Sequence, residues 1–217
     1  MLFDKTNIDD MDKAFRAMFI NSLSGFKSAN LLGTRAADGS SNLSVVSSAV
    51  HLGAHPPLMG IVFRPDVSPR HSLDNIRETG VFTLNHINEA IMPQAHQTAA
   101  RYPRDTSEFE ACGLSMEHHA DFHAPSVKEA AIAMGLELRE EHPLTINGTH
   151  FVIAEIVWVR LNKDWVASDG YVDIESAGTL AISGLDGYHR TKNISRMAYP
   201  KPNKEPGPLV LNNEQAK

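Results

Sequence analysis

Cysteine is almost missing from this chain: Cys112 is the single one among 217 residues. One thiol cannot form an intrachain disulfide, and it rules out Cys-based zinc fingers and iron–sulfur clusters. Long apolar runs are missing too. The longest, Leu58 to Phe63 and Ala130 to Leu136, fall far short of the roughly 20 residues that a membrane span requires. No long basic run exists, and a net charge of −6 argues against nucleic-acid binding by phosphate neutralisation. The first residues, Met1-Leu2-Phe3-Asp4 and then Asp9, Asp10 and Asp12, lack the basic and apolar regions of a secretory signal. A cytoplasmic protein with no membrane or nucleic-acid partner is expected. There is no internal repeat, no G-x-S-x-G elbow, and no G-x-G-x-x-G after a strand, so a hydrolase triad and a Rossmann site have no support.

What is present is an ordinary globular composition, 42% hydrophobic and 21% charged, which excludes disorder and suits one domain with short appendages. Met11, Phe15, Met18 and Phe19 predict a helix over Asp9 to Leu23, within an N-terminal extension of residues 1–24. Strands are predicted over Asn30 to Arg35 and Asn42 to Leu52, paired as a hairpin around Asp38-Gly39. Pro57 to Phe63 is continuous and apolar, a strand expected to be buried on both faces, and Val81 to Asn85 is the next. Short helices are expected over Pro69 to Glu78 and Glu89 to Ala100. Ala131 to Arg139 alternates, and Thr149 to Leu161 follows an Asn147-Gly148 turn. Without regular alternation of strand and long helix, the pattern reads as mainly β, antiparallel, with peripheral helices. Four prolines, Pro200, Pro202, Pro206 and Pro208, mark residues 196–217 as an arm.

The most informative stretch is RPDVSPRHSLDNIRETG, Arg64 to Gly80. Ser68 suits an N-cap and Pro69 the first helical position, where a missing N–H costs nothing. The unpaired N–H groups of a helix start and its dipole form an anion site. Arg70, His71 and Ser72 add a guanidinium, a titratable donor and a hydroxyl there, and a guanidinium can give phosphate two parallel bonds. A capped, solvated surface helix is the alternative. Upstream, NLSVVSSAV (Asn42 to Val50) would place Asn42, Ser44, Val46 and Ser48 on one strand face. Buried amides and hydroxyls need partners, which a flat polar ligand would supply; a solvent-facing strand side is the alternative.

These residues, with HPPLMGIVFRPDVSPRHSLDNIRETGVFTLNHI, make the chain resemble the flavin reductase-like family of FMN-binding split β-barrel proteins. Ser107-Glu108-Phe109-Glu110, Gly113-Leu114, the Pro143 to Val159 strand pair and Gly187-Tyr188 before Arg190 match as well, in order, over roughly residues 25–195. The resemblance implies a Greek-key-like antiparallel split barrel and a flavin-dependent oxidoreductase. It implies that Asn42, Ser44, Val46, Ser47 and Ser48 line the isoalloxazine ring, with backbone groups near Val46 and Ser47 bonding its polar edge. It implies that Arg64, Ser68, Arg70, His71 and Ser72 hold the ribityl chain and phosphate of FMN, and that Asn85 sits beside the flavin. Arg-His-Ser stands where many relatives have Lys-Asp-Thr, so an imidazole replaces an acid at His71. NADH or NADPH is the implied donor, a small molecule the substrate or acceptor, and a homodimer the implied assembly, with flavin near its interface. The sequence leaves open an FMN electron carrier and a flavin-binding module.

Other groups were weighed. His119 and His123 in Glu117 to His123 lack a third ligand at zinc spacing. Cys112 lacks a visible base and reads as a small buried hydrophobe. Ser183 to Lys192, with Gly184, Tyr188, His189 and Arg190, reads as a loop able to touch flavin or substrate.

Overall fold

The computed structural model describes residues 1–65 and 70–211. Two short helices come first, α1 (Lys5–Asp9) and α2 (Lys13–Leu23), followed by strands β1 (Lys27–Ser28), β2 (Asn30–Arg35), β3 (Ser41–Val46), β4 (Ala49–Ala54) and β5 (Pro57–Phe63). Helix α3 (His71–Thr79) leads to β6 (Val81–His86), α4 (Met92–Gln97), α5 (Glu108–Ala111), β7 (Met116–Glu117) and β8 (Ser126–Val127). The long hairpin β9 (Ala133–Leu144) and β10 (Thr149–Arg160) precedes the short pair β11 (Ala181–Ser183) and β12 (Gly187–His189).

Seven strands form one antiparallel sheet in the order β3-β2-β6-β9-β10-β5-β4. Its two outer strands, β3 and β4, are consecutive in the chain and joined only by Ser47 and Ser48. Consecutive Cα atoms lie about 3.8 Å apart, so so short a link forces the two outer strands together and curls the sheet into a barrel. The seam of the barrel is this Ser47-Ser48 link. Packing agrees: one apolar cluster draws on Leu32, Phe82, Leu84, Leu136, Val152 and Ile61, with Val46 and Ala49 at the seam. A single cluster touched by all seven strands is the barrel interior. Leu73 and Ile76 of α3 join it, so α3 plugs the barrel. A second cluster, including Leu31, Leu43, Phe109, Val127 and Ile182, lies on the opposite sheet face under the β11–β12 pair and the peripheral helices.

Several expectations change. The helix expected over Asp9 to Leu23 begins at Lys13, because Asp12 turns its carboxylate on the N–H groups of Ala14 and Phe15 and starts it there, and a separate short helix, Lys5–Asp9, precedes it. The strand over Asn42 to Leu52 breaks at the seam. The Glu89 to Ala100 segment is a 3₁₀ turn followed by α4. Pro57 to Phe63 is not buried along both faces: on the outer side Gly60 lies under the Phe151 ring, but Val62 is 40% exposed. The Asn147-Gly148 turn closes as expected, Gly148 donating to the Leu144 carbonyl at 2.8 Å.

At the end of β6, His86 shares a 3.0 Å hydrogen bond with the Thr179 hydroxyl just before β11. Burial pulls its pKa from 6.5 down to about 4. The unfolded chain therefore binds this proton more tightly, and stability that is complete above pH 6.5 is lost as pH falls towards 4. At about 1.4 kcal/mol per unit, keeping His86 neutral is worth about 3 kcal/mol over that window. Urea unfolding at pH 7.5 and 4.5 should show His86→Gln losing less stability than the parent. Equal losses would place the acid sensitivity elsewhere.

Candidate functional site

Strand register decides which seam residues look inward. Asn42, Ser44 and Val46 lie opposite Thr34, Leu32 and Asn30, and neighbouring strands keep opposed side chains on the same face. Leu32 is in the barrel interior, so Asn42, Ser44 and Val46 point inward too. Their polar groups find a partner within the chain. The Asn42 amide donates to Ser72 Oγ at 2.8 Å, and Ser44 Oγ and Ser72 Oγ share a hydrogen bond of 2.9 Å. Asn42 and Ser72 are each only 8% exposed. The partner expected from a flat ligand is thus the first turn of α3, and these three residues fix α3 to the seam strand. Asn75 continues the seal, donating to Thr34 Oγ1 at 3.1 Å and accepting from Arg104 at 3.3 Å.

Outside that seal lie the seam link and the start of α3. Ser48 Oγ donates to the Val62 carbonyl at 2.8 Å, and Ser28 Oγ to the Ala49 carbonyl at 3.3 Å, so the seam is pinned from both sides. Arg64 follows β5, is exposed, and forms no ion pair among the described residues. Arg70 turns its guanidinium onto the Pro65 carbonyl, with Nε at 3.3 Å and Nη2 at 3.1 Å. This clamps the two ends of the segment between β5 and α3. The helix starts at His71, not at Pro69, because Arg70 has φ −119° and ψ 67°, outside the helical region. Ser68, the expected cap, lies outside the described residues. Among the described residues no side-chain hydrogen bond caps the helix, so its start offers N–H groups and the positive end of its dipole next to Arg70. His71 is half-buried beside them.

Asn85 does not join this group. It lies opposite Leu31, on the outward face of the barrel wall, and its side chain is wholly buried there. Its amide donates to the Leu31 carbonyl at 3.1 Å and Thr83 Oγ1 at 3.0 Å, and accepts from the Val127 N–H at 2.9 Å. Both N–H donors and one acceptor position of the amide oxygen are spent on the fold.

Glu108 is the neighbour that residue spacing alone misses. From α5 its Oε2 accepts the Leu43 N–H at 2.9 Å, on the open edge of β3, while Ser107 Oγ and Ser41 Oγ meet at 2.8 Å. Burial raises the Glu108 pKa, and the Leu43 hydrogen bond opposes the rise. This clip occupies backbone that an outer strand otherwise leaves free. Ser107 to Glu110 marked the spot, but a carboxylate serving a strand 65 residues away leaves no local pattern.

The remaining groups are structural. Among the described residues no three His, Cys, Asp or Glu side chains are placed to hold a metal. His119 packs on Trp158 with ring centroids 4.7 Å apart, and His123 bonds the Ala36 carbonyl. Cys112 is buried, which raises its thiol pKa. No helix among the described residues is long and apolar enough to cross a membrane.

Solved structures share this architecture. A split-barrel-domain protein of Shewanella frigidimarina NCIMB 400, named as a candidate flavin reductase, is 52% identical, with a TM-score of 0.89 over 92% of this chain and 100% of that one. Component B of nitrilotriacetate monooxygenase from Bacillus cereus is 20% identical and covers 89% of this chain and 96% of its own, TM-score 0.78. Flavoredoxin of Desulfovibrio vulgaris (Miyazaki F) is 21% identical over 81% of this chain and 92% of its own, TM-score 0.70; these two show likeness of fold alone. Residues 23–177 match the flavin reductase like domain, and with its seven-stranded split barrel and plugging helix the chain belongs to that family.

Proposed function

We propose that the chain binds FMN at the seam and works as a flavin-dependent oxidoreductase, taking a hydride from NADH or NADPH and passing electrons to a small-molecule acceptor. The observation that carries this reading is the start of α3: Arg70 is its N-cap residue, no described side chain caps it, and Arg64 stands six residues before Arg70; a helix start and two guanidiniums attract a phosphate, and no carboxylate pairs with either guanidinium among the described residues. In this reading Arg64, Arg70, His71 and the first N–H groups of α3 hold the phosphate and ribityl chain. The backbone of Val46, Ser47 and Ser48 borders the ring. Asn42, Ser44 and Ser72 act one layer further in, holding α3 against the seam.

FMN supplies the ring that accepts the hydride, so no dedicated protein acid or base is needed. The chain's own part is to place a phosphate and expose one ring face to the donor. The open face beside the seam fits a second copy. Val50, Leu52 and Val62 are 47%, 43% and 40% exposed there, and a C2 dimer covering them would bring a partner close to the ligand. Cytoplasmic location belongs to the same reading.

The test is a visible spectrum after FMN addition and gel filtration, followed by NADH and NADPH oxidation with an excess of flavin. Bound flavin, steady turnover and a light-scattering mass of twice 23.8 kDa are expected. Bound flavin without turnover would make the chain an electron carrier. No flavin binding would end the reading.

A further inference from the structure

The inward side chains of β2 are Asn30, Leu32 and Thr34, since Leu32 lines the barrel interior and Leu31 packs outside it. Thr34 is matched by Asn75 of α3, and Leu32 is apolar. Asn30, at the other end of the strand, is not matched. It is 2% exposed, and its Oδ1 is buried without a hydrogen-bond partner. Its amide nitrogen bonds nothing among the described residues either. A buried amide left unpaired costs free energy that a leucine of similar size would not.

Register identifies what surrounds this amide. Asn30 lies opposite Val46 on β3 and opposite His86 on β6. Val46 is the last residue before the seam link, so this rung borders the place assigned to the ring above. His86 follows Leu84 by two residues and shares its inward face. Directly opposed side chains have Cβ atoms about 4.5–5.5 Å apart, yet the imidazole and the amide do not bond each other. The imidazole is tied to Thr179 through Nδ1, and its Nε2 has no partner among the described residues. Burial holds its pKa at about 4, so the ring is neutral at neutral pH. A threonine hydroxyl can donate to Nδ1, which leaves the proton on Nε2 as a free donor. The last torsion of an asparagine is soft and two-fold, so either end of the amide can turn to a ligand without moving the strand. One rung thus holds an acceptor, Asn30 Oδ1, beside a donor, His86 Nε2. The complement of that pair is an N–H next to a C=O, the edge of an imide or a carboxamide.

We propose that Asn30, with His86 beside it, is a specificity-determining residue that reads the imide or carboxamide edge of a ligand bound at the seam. The proposal rests on the flavoprotein reading for its ligands, which carry that edge in two places: the pyrimidine end of the isoalloxazine ring and the carboxamide of the nicotinamide. The inward polar groups of β3, Asn42 and Ser44, are already held by Ser72. The Asn30–His86 rung is the polar group that the chain leaves open on that face.

Methylating the ligand nitrogen removes the donor and leaves the protein untouched. The parent chain should bind FMN about tenfold more tightly than 3-methyl-FMN, the upper end for one neutral hydrogen bond. Asn30→Leu should bind the two alike, with FMN weakened to match. The variant should unfold in urea at the parent's midpoint or above it, because it removes an amide that nothing in the chain satisfies. If the parent binds both flavins alike, a rise of about tenfold in KM for 1-benzyl-1,4-dihydronicotinamide in Asn30→Leu, with the N,N-dimethylcarboxamide analogue unaffected, would assign the nicotinamide edge instead. Equal losses for methylated and unmethylated ligands, or no loss for any, would overturn the proposal. So would a lowered urea midpoint with unchanged binding, which would make Asn30 a structural residue. The comparison of ligands in the parent needs no variant to fold. A parent that binds FMN without either preference loses this inference alone; one that binds no flavin and oxidises no dihydronicotinamide loses the flavoprotein reading, and this inference with it.

Discussion

Asn85→Ala should cost about 2–5 kcal/mol of folding stability, the largest single-residue effect expected from the polar groups of this fold. Removing the amide leaves the Val127 N–H without its partner at a wholly buried site, while the Leu31 carbonyl keeps its place in the strand pairing and loses only a second donor. Each orphaned buried group costs about 1–3 kcal/mol, and the lost volume adds a cavity in a close-packed wall. Set against the 5–15 kcal/mol of a typical domain, that is enough to leave part of the protein unfolded near 37 °C. Urea unfolding followed by far-UV circular dichroism measures it. A normal midpoint with weakened FMN binding would show instead that Asn85 touches the ligand, as the family resemblance implied.

The contrast between Asn85 and Ser48 shows what could be read from the sequence. Strands β2 and β5 fall at Asn30–Arg35 and Pro57–Phe63, where apolar content and flanking turn residues mark them directly. The β9–β10 hairpin was legible from alternation and an Asn-Gly turn. The seam was not. Ser47 and Ser48 interrupt what reads as one strand, and only closure of a seven-stranded sheet requires a break there. Parity is equally hidden: Asn42 and Asn85 are both strand asparagines, yet register turns one inward toward α3 and the other to the outer wall. A polar residue in a strand signals that it needs a partner without saying where that partner comes from. For Asn42 and Ser44 it is Ser72, some 30 residues on; for the edge of β3 it is Glu108. The cation group was visible in part, since Arg64 and Arg70 precede a helix start.

Arg70 carries the second large effect. Its guanidinium braces the Pro65 carbonyl through two donors. On the proposed FMN reading, replacing it by alanine would remove a charge-assisted bond to the ligand phosphate, worth about 1.5–3 kcal/mol, or about 10- to 150-fold in affinity. It also unclamps the segment between β5 and α3, which pushes the loss toward the upper end. Folding stability should change little, because the side chain is only half-buried and bonds a single carbonyl.

The measurement that tests the central claim most directly is a fluorescence titration of apo-protein with FMN and with riboflavin, for the parent chain and for Arg70→Ala. The account predicts that the parent prefers FMN and that Arg70→Ala loses about 10- to 150-fold for FMN while riboflavin binding is nearly unchanged. Equal affinity of the parent for both ligands, or equal losses for both in the variant, would mean that the start of α3 does not read a phosphate and that the flavin site lies elsewhere.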